Sequence, residues 1–498
     1  MSKIILGPLL GLEGNHHYSV CVLTETDVEQ LDILCDGQTV SAHYIDCKAG
    51  RFWRAELNPI NANKGTSGHF AAYQVLLDGQ RSGNFTQQDQ WQFYVPGKKE
   101  APKIAYTSCN GVSKQDQFNK LDEPFSLWQK MQQQHQEEPY SLLLMGGDQL
   151  YADALWEQSP ELKHWSSLSR SEQVKRSFTK AMAAQTERFY ADLYAQRWRE
   201  PHMAFMLASV PSIMMWDDHD IFDGWGSFPE DLQQCNVYQG VFKIAQRYFE
   251  LFQIRSCGNR ALLNNQGLYY SQCVEFRDYT IIALDHRSER SIKQVMSREH
   301  WNDWLSRLDK ITKGKLLLMS AVPVVYRDFA FVECGFDITP WQEELTDDLK
   351  DHWRAREHEG ERSRLIMRLL QNAKIRHNQN DGPAARTIIL SGDVHVGCLG
   401  VITERHKKHT LRVHQVVSSG IVHPAPSYIQ WLGITSVTND KIEYLNEDRT
   451  ISAEILKPVG SDKYIRARNF VSIQCGSDGK EWVNWIVEGK DTPEFPID

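Results

Sequence analysis

The sequence predicts an α/β protein with an all-β region at its N-terminus, and three observations support this prediction. Up to about residue 98, short runs of β-branched and aromatic residues recur between turn sequences, without a helical period. From about residue 103, short apolar runs alternate with long amphipathic segments, as in layered α/β folds. After about residue 440 the alternation typical of strands returns, so we expect the last strands to complete a sheet.

Residues 1–98 are expected to form a small β-sandwich of immunoglobulin-like or fibronectin-like type. Its predicted strands are 18–23, 39–45, 52–57, 70–77 and 91–95. A segment rich in proline, glycine and charge at 95–102 predicts a linker. We therefore divide the chain into an N-terminal domain, 1–98, and a larger domain, 99–498.

The larger domain alternates predicted helices with predicted buried strands. The helices are expected at 123–138, 173–200, 298–311 and 341–374. The strands are expected at 103–107, 141–145, 210–215, 280–284, 315–319, 387–390 and 411–417. These apolar runs are short and flanked by glycines, which favours strands over buried helical segments.

The composition fits a globular protein of a reducing compartment. A formal net charge of −9 over 498 residues argues against a specific nucleic-acid partner, because such proteins usually carry a basic surface. The ten cysteines form no C-x-x-C pair, so no zinc ribbon is predicted. No apolar run approaches the ~18 residues of a membrane helix, and there is no twin arginine or clear signal peptide. We expect a cytoplasmic protein without a membrane partner, and the sequence leaves its oligomeric state open.

Polar side chains follow five of the predicted strands directly. The ligand site of an open α/β sheet lies outside the carboxyl ends of its strands, so we expect these side chains to meet. They are, strand by strand, Cys109; Asp148 and Tyr151; Asp217, Asp218, His219 and Asp220; Arg287 and Arg290; Asp393 and His395. Their residue types bind metals and phosphate groups.

The densest of these motifs places three carboxylates and an imidazole at 217–220. Like charges at such spacing are costly unless a cation neutralises them, although a solvated acidic loop is the alternative. We expect Asp218 to bind a metal and His219 to protonate a leaving oxygen. Asp220 is expected to fix the tautomer of His219.

The other motifs each allow a structural and a functional interpretation. Asp148 either caps a helix or binds a metal together with Tyr151, whose phenolate suits a ferric ion. Asp393 and His395 are two residues apart on a strand-like exit and can reach one metal. Cys109 is either a small core residue or a thiolate ligand. The arginines are either ordinary surface residues or bidentate phosphate contacts.

Together these motifs resemble the alkaline phosphatase D (PhoD-like) family of metallophosphoesterases. The matching sequences are Ser108-Cys109, Gly147-Asp148-x-x-Tyr151, Trp216-Asp217-Asp218-His219-Asp220, Leu284-Asp285-x-Arg287-x-x-Arg290, Asp351-His352-Trp353 and Ser391-Gly392-Asp393-Val394-His395. They cover about residues 100–420 in order. The resemblance implies a metallophosphoesterase-type β-sandwich flanked by helices (α/β/β/α), after the small N-terminal sandwich, and hydrolysis of phosphomonoesters or phosphodiesters.

The resemblance also implies roles for single residues. The implied metal ligands are Cys109, Asp148, Tyr151, Asp218, Asp393 and His395, holding iron beside calcium. Zinc or manganese would also suit these residue types. His219 becomes the proton donor and Arg287 a phosphate clamp. The chain departs from the family in lacking a twin-arginine export signal, in Gln149, and in the sequence at 221–225.

The expected reaction is one-step hydrolysis of a small phosphoester. A metal-activated water attacks phosphorus in line, Arg287 offsets developing charge and His219 protonates the leaving group. Two alternatives stay open: a hydrolase that uses Cys109 as nucleophile with His219 or His395, and a non-catalytic metal protein that binds a phosphorylated ligand. The sequence does not choose among monoesters, diesters, phospholipids and nucleotides.

Overall fold

The computed structural model describes residues 3–59, 66–256, 258–328, 352–379, 385–407 and 409–498. Two large β-sheets lie face to face, and helices cover both outer faces. This arrangement confirms the predicted α/β/β/α fold with an all-β N-terminal region.

The first large sheet has ten strands among the described residues, and its central strands run parallel. From edge to edge it contains β24 (Glu494–Ile497), β23 (Glu481–Val487), β22 (Asn469–Cys475), β10 (Ile104–Thr107), β11 (Leu142–Gly146), β12 (Ser212–Met215), β1 (Ile4–Gly14), β2 (His17–Thr24), β6 (Gly50–Leu57) and β5 (His43–Cys47). Strands β10, β11, β12 and β1 are parallel, and the outer pairs are antiparallel. The last three strands complete this sheet, as expected for the C-terminal segment.

The second large sheet also has a parallel centre. Within the described part of the chain it contains β13 (Gln272–Phe276), β14 (Tyr279–Ala283), β15 (Lys315–Met319), β16 (Thr387–Ser391), β18 (Thr410–Val417), β17 (Gly397–Arg405), β20 (Ile451–Leu456) and β19 (Glu443–Tyr444), with β21 (Tyr464–Ile465) paired to β17. Strands β14, β15, β16 and β18 are parallel. Parallel centres place several carboxyl ends at one rim of each sheet.

The N-terminal region is all-β, but its strands divide between two sheets. A separate small sheet contains β3 (Leu31–Cys35), β4 (Gln38–Ser41), β7 (His69–Leu77), β8 (Gln80–Arg81) and β9 (Trp91–Val95). The remaining N-terminal strands extend the first large sheet, because β1 pairs in parallel with β12, with Gly11 opposite Ser212. The apolar stretch at the N-terminus is therefore a buried strand, and the division into domains at residue 98 stays a prediction.

Side-chain alternation along the strands builds the layers. In β11, Leu142 and Leu144 point into the core between the large sheets, while Leu143 and Met145 face the helices on the outer side. Successive side chains of a strand point to opposite faces, so a strand buried on both sides is apolar throughout. This explains why the sequence shows continuous apolar runs here.

The helices cover the outer faces of both large sheets. Among the described residues they are α1 (Gln115–Phe118), α2 (Ser126–Glu137), α3 (Leu155–Gln158), α4 (Pro160–Ser166), α5 (Arg170–Gln173), α6 (Lys180–Arg197), α7 (Pro201–Ser209), α8 (Glu230–Gln233), α9 (Asn236–Phe249), α10 (Arg298–Leu308), α11 (Glu359–Gln379) and α12 (Tyr428–Val437). A 3₁₀ turn spans Asp218–Asp220, and a π-helical turn spans Glu250–Ile254. No helix in the described ranges combines the length and apolar character needed to cross a bilayer.

The helices follow the sequence prediction in part. Each of the four predicted segments contains or overlaps a helix, namely α2, α6, α10 and α11. Part of the segment at 341–374 falls outside the described residues. Helices α7 and α9 were not predicted, and both pack apolar faces into the core. Helix α10 shows why a prediction succeeds: the Ser297 hydroxyl accepts a hydrogen bond from the His300 amide at 3.2 Å, and Trp301, Trp304 and Leu308 are buried.

Candidate metal centre

The chemically active side chains lie at the carboxyl ends of the parallel strands of both sheets. Backbone hydrogen bonds hold the loops after β10, β11 and β18 together. The Cys109 amide donates to the Gly147 carbonyl at 3.2 Å, and the Asn110 amide donates to the Asp148 carbonyl at 2.8 Å. The His423 amide in turn donates to the Cys109 carbonyl at 3.1 Å. Loops from two sheets are thus fixed around one centre.

One group of ligand atoms combines a thiol, a carboxylate and an imidazole. Single ligand atoms of Cys109, Asp148 and His395 all lie within 4.8 Å of one another. The Cys109 Sγ is 3.4 Å from Asp148 Oδ2, and the Tyr151 phenol oxygen is 3.4 Å from His395 Nε2. Four of the predicted metal ligands therefore meet at this point.

A second group of ligand atoms is built from carboxylates. Atoms of Asp148, Asp217, Asp218 and Asp393 lie within 4.8 Å of one another, and so do atoms of Asp148, Asp218 and His219. Asp148 belongs to every one of these groups. Two-metal sites in proteins hold their ions about 3.5–4 Å apart, and Asp148 would be within reach of two such ions.

The backbone is strained at four of these positions. Cys109, Asp148, Asp393 and His395 have φ angles of 51°, 53°, 68° and 53°, in the left-handed region that side chains other than glycine rarely adopt. Such strain costs about 1–3 kcal/mol per residue and is concentrated at functional sites. Gly147, with φ 104°, allows the close approach of this loop, because a Cβ there would lie 2.9 Å from the Asp217 Cβ.

The buried acidic groups of the centre favour the binding of a cation. Oδ1 of Asp148 is buried and has no hydrogen-bond partner among the described residues. Burial and the neighbouring carboxylates raise the pKa of Asp148 well above its usual range, although His219 opposes this shift. Burial likewise raises the pKa of Cys109 and Tyr151. A bound cation would reverse these penalties, and thiolate, phenolate, carboxylate and imidazole together suit a transition metal.

The structure corrects the expected partner of His219. Nδ1 of His219 is 3.0 Å from Asp153 Oδ2, not beside Asp220. Burial lowers the pKa of His219, but the negative charges of Asp153 and Asp218 outweigh it and hold the pKa well above its usual range.

Asp220 has a structural task instead. Its carboxylate accepts hydrogen bonds from the amides of Asp217, Gln149 and Leu150, at 2.9, 3.2 and 3.1 Å, and from the Gln253 side chain at 2.8 Å. The reason is geometric, because the 3₁₀ turn aims the Asp220 side chain back at the loop after β11. Burial raises the pKa of Asp220 to about 7, although these hydrogen bonds oppose the shift.

Arg287 is buried among the acidic residues of the centre. Its side chain is 0% exposed, and its guanidinium pairs with Asp217 and lies 3.3 Å from Asp218 Oδ1. It also donates to the Trp225 carbonyl at 3.0 Å. A buried guanidinium that is paired with the acidic residues is placed to orient them, and its expected role as a phosphate clamp stays a prediction.

Three residues of the centre were missed in the sequence. Asp153 pairs with His219. The Ser419 hydroxyl lies 3.1 Å from Cys109 Sγ and accepts from the His395 amide at 2.7 Å. The His423 ring stacks on His395 at 3.5 Å, and burial lowers its pKa to about 4. Ser419 and His423 follow β18, a strand that the sequence predicted. Their position after its carboxyl end could therefore have indicated that they belong to the centre.

The motif at 351–353 lies partly outside the described residues, since Asp351 is not among them. Trp353 is buried and its indole donates to the Ser320 hydroxyl at 3.1 Å, while His352 stacks on Tyr326 at 5.8 Å. These contacts place the segment against the second sheet. Arg290 is also buried and lies 3.4 Å from His358 Nδ1.

Solved structures share this architecture. The chain superposes on PhoD with a TM-score of 0.60 at 14% identity, covering 100% of this chain and 92% of that one. It superposes on purple acid phosphatase PPD1 from yellow lupin (Lupinus luteus) seeds with a TM-score of 0.52 at 12% identity, covering 99% and 74% of the chains. These two superpositions define the fold, a metallophosphoesterase-type α/β/β/α sandwich. Among proteins of this fold, the chain belongs to the family of PhoD-related phosphatases, whose model matches residues 86–340, just over half of its length.

A sequence relative occurs in Saccharomyces cerevisiae. The uncharacterized protein YGR266W is 28% identical over 393 residues, which are 66% of this chain. The chain spans about half the length of that protein, since the match covers 54% of it.

Proposed function

We propose that this protein hydrolyses small phosphomonoesters or phosphodiesters at a dinuclear metal centre. The observation that supports the proposal is the pair of ligand groups that share Asp148, whose Oδ1 is buried without a hydrogen-bond partner among the described residues. The proposed ligands are Cys109, Asp148, Tyr151, Asp218, Asp393 and His395. Iron beside calcium is the proposed metal pair, because thiolate and phenolate suit iron whereas carboxylates suit calcium.

Such a centre, when bound, supplies Lewis acidity toward phosphoryl oxygens and a water of lowered pKa. The chain itself supplies the proton for the leaving group. His219 is held by Asp153 with Nδ1 toward the carboxylate, so in the protonated ring Nε2 carries the hydrogen that can be donated to the departing oxygen. Asp153 therefore takes the orienting role expected for Asp220.

Buried supports behind the ligands keep the geometry fixed. Arg287 pairs with Asp217 and contacts Asp218, so these side chains hold their positions before substrate arrives. The amide of Gly224 donates to Asp218 Oδ2 at 2.8 Å. Preorganised charge of this kind costs no reorganisation at the moment of reaction.

The surroundings of Cys109 favour a ligand over a nucleophile. Its Sγ lies near Asp148 and Ser419, and burial raises the pKa of the thiol, the opposite of what an attacking thiolate requires. A nucleophilic cysteine needs a cationic partner that lowers this pKa. Coordination to a metal would instead deprotonate the thiol directly.

The test is hydrolysis of p-nitrophenyl phosphate and bis(p-nitrophenyl) phosphate by the purified protein, before and after removal of metal. We expect a strong chelator to abolish hydrolysis and iron with calcium to restore it. Thiol alkylation of the holoprotein should have little effect, because the thiol is occupied. Activity that survives chelation and is lost on alkylation would favour the cysteine hydrolase. Bound metal without hydrolysis of any ester would favour a binding protein.

A further inference from the structure

His423 lies against two of the proposed metal ligands. Its ring centroid is 3.5 Å from that of His395, with an angle of 14° between the planes, and 5.6 Å from that of Tyr151, with an angle of 22°. Its amide donates to the Cys109 carbonyl at 3.1 Å, which fixes its backbone to the loop that carries the thiol. The residue therefore belongs to the wall of the centre.

The tautomer of His423 follows from its surroundings. Nδ1 lies 2.9 Å from the Pro424 carbonyl oxygen, which can only accept a hydrogen bond. Nδ1 therefore carries the hydrogen, and Nε2 keeps its lone pair in the neutral ring. Backbone carbonyls fix the histidines of metal centres in this way.

His219 and His423 both stack with the ring of Tyr151, and each has its Nδ1 beside an oxygen acceptor. Nδ1 of His219 lies by a carboxylate, whereas Nδ1 of His423 lies by a carbonyl. The ring of Tyr151 stacks with His219 at 4.2 Å and with His423 at 5.6 Å. A protonated His219 thus offers a donor at Nε2, and a neutral His423 offers an acceptor there.

We propose that His423 is a positioning residue whose Nε2 accepts a hydrogen bond from the water that attacks phosphorus. This inference rests on the proposed function. The water oxygen bonds to phosphorus, the bond from phosphorus to the leaving oxygen breaks, and His219 gives that oxygen its proton. One hydrogen of the water stays on the new phosphate as P–OH, held by Nε2, and the other passes to solvent. His423 forms no covalent bond.

The inference predicts a preference between two anions of similar shape. Phosphate near neutral pH carries a P–OH group, from which Nε2 can accept a hydrogen bond. Sulfate has no hydrogen to donate. We expect His423→Phe to lower the phosphate affinity of the metal-loaded protein about tenfold, because one hydrogen bond contributes about that factor to binding. The sulfate affinity should stay unchanged. His423→Gln, which keeps an acceptor near the Nε2 position, should retain most of the preference.

The experiment compares wild type, His423→Phe, His423→Gln and the control His43→Phe, which changes an exposed residue of β5. Calorimetry gives the phosphate and sulfate affinities. Metal content, kcat and KM are measured on the same four proteins. We expect His423→Phe to keep its metal and to lose kcat about 10²-fold, with little change in KM. Loss of metal, or phosphate binding equal to wild type, would overturn the inference. If wild type hydrolyses no ester but the phosphate preference still depends on His423, the proposed function fails and the assigned acceptor stands.

Discussion

At the scale of single residues, the chemistry depends on how each side chain of the centre is held by a neighbour. His219 is fixed by Asp153 at 3.0 Å, and the Ala152 amide donates to the His219 carbonyl at 2.8 Å. The loop after β11 thus supplies both a metal ligand, Asp148, and the partner of the proton donor. A change in this loop would alter binding and catalysis together.

We predict that Asp153→Asn lowers kcat by about 10²-fold while the metal content stays at the wild-type level. The amide cannot stabilise a protonated His219, so proton transfer to the leaving group suffers. The loss should be larger for an alkyl phosphate than for p-nitrophenyl phosphate, whose leaving group hardly needs a proton. Steady-state kinetics with both substrates provide the measurement, and Asp192→Asn, on the exposed face of α6, is the control. Equal losses for both substrates would refute this role.

The residues that follow strands directly could be predicted, whereas those placed by loop paths could not. Asp148, Asp218 and Asp393 each stand one to three residues beyond a buried strand, which the apolar runs reveal. Asp153 reaches His219 only because the two loops run side by side. For a related reason, the sequence position of Arg287 did not reveal that its guanidinium would pair with Asp217.

At the scale of elements, the loops after β12 and β14 form one unit through a buried ion pair. Arg287 from the second sheet pairs with Asp217 from the first, and both side chains are almost fully buried, with exposed fractions of 0% and 1%. Removing one partner of such a pair leaves an uncompensated charge in the interior. The pair therefore couples the two sheets at the centre.

We predict that Arg287→Met destabilises the metal-free protein by about 3–5 kcal/mol. The matched control is Arg188→Met, which removes an exposed ion pair with Asp192 at 3.6 Å on α6, and should cost about 0.5 kcal/mol or less. Urea denaturation of both variants, monitored by tryptophan fluorescence, gives the free energies of unfolding. An Arg287 variant as stable as the control would contradict the coupling.

A buried histidine on helix α2 makes the stability of the protein depend on pH. His135 is buried on its inner face, its Nδ1 accepts from the Tyr140 amide at 3.1 Å, and burial, helped by Lys103, lowers its pKa to about 4. Because the unfolded chain takes up this proton at higher pH than the folded one, stability falls as pH drops from about 6.5 to about 4. We predict that His135→Gln reduces the loss of unfolding free energy between pH 7 and pH 5 by about 2 kcal/mol. Denaturation curves at both pH values check this, and an unchanged loss would refute it.

At the scale of the whole molecule, the N-terminal region is part of the sheet that supports the centre. Strand β1 lies next to β12, whose end carries the acidic motif, and the Tyr73 phenol donates to the Ala208 carbonyl at 2.6 Å. The sequence shows the strands of this region but not their partners, because pairing between Gly11 and Ser212 joins positions far apart in the chain. Local patterns carry no information about such contacts.

We predict that residues 99–498 alone do not fold to a stable soluble protein. Without β1, strand β12 would become an exposed, apolar edge in the middle of the present sheet. Expression of this fragment beside the full chain, followed by gel filtration and circular dichroism, provides the test. A soluble, cooperatively unfolding fragment would instead support an independent domain before residue 99.

The most direct test of the dinuclear centre is the elemental metal content of this 498-residue chain, purified without added metal or chelator. The variant Asp148→Asn and the control Asp192→Asn are measured beside it. We predict near-stoichiometric iron and a second ion, such as calcium, in wild type and control. The Asp148 variant should lose both ions, since Asp148 belongs to every ligand group at the centre. A folded wild-type protein that contains no metal and takes up none would contradict the account.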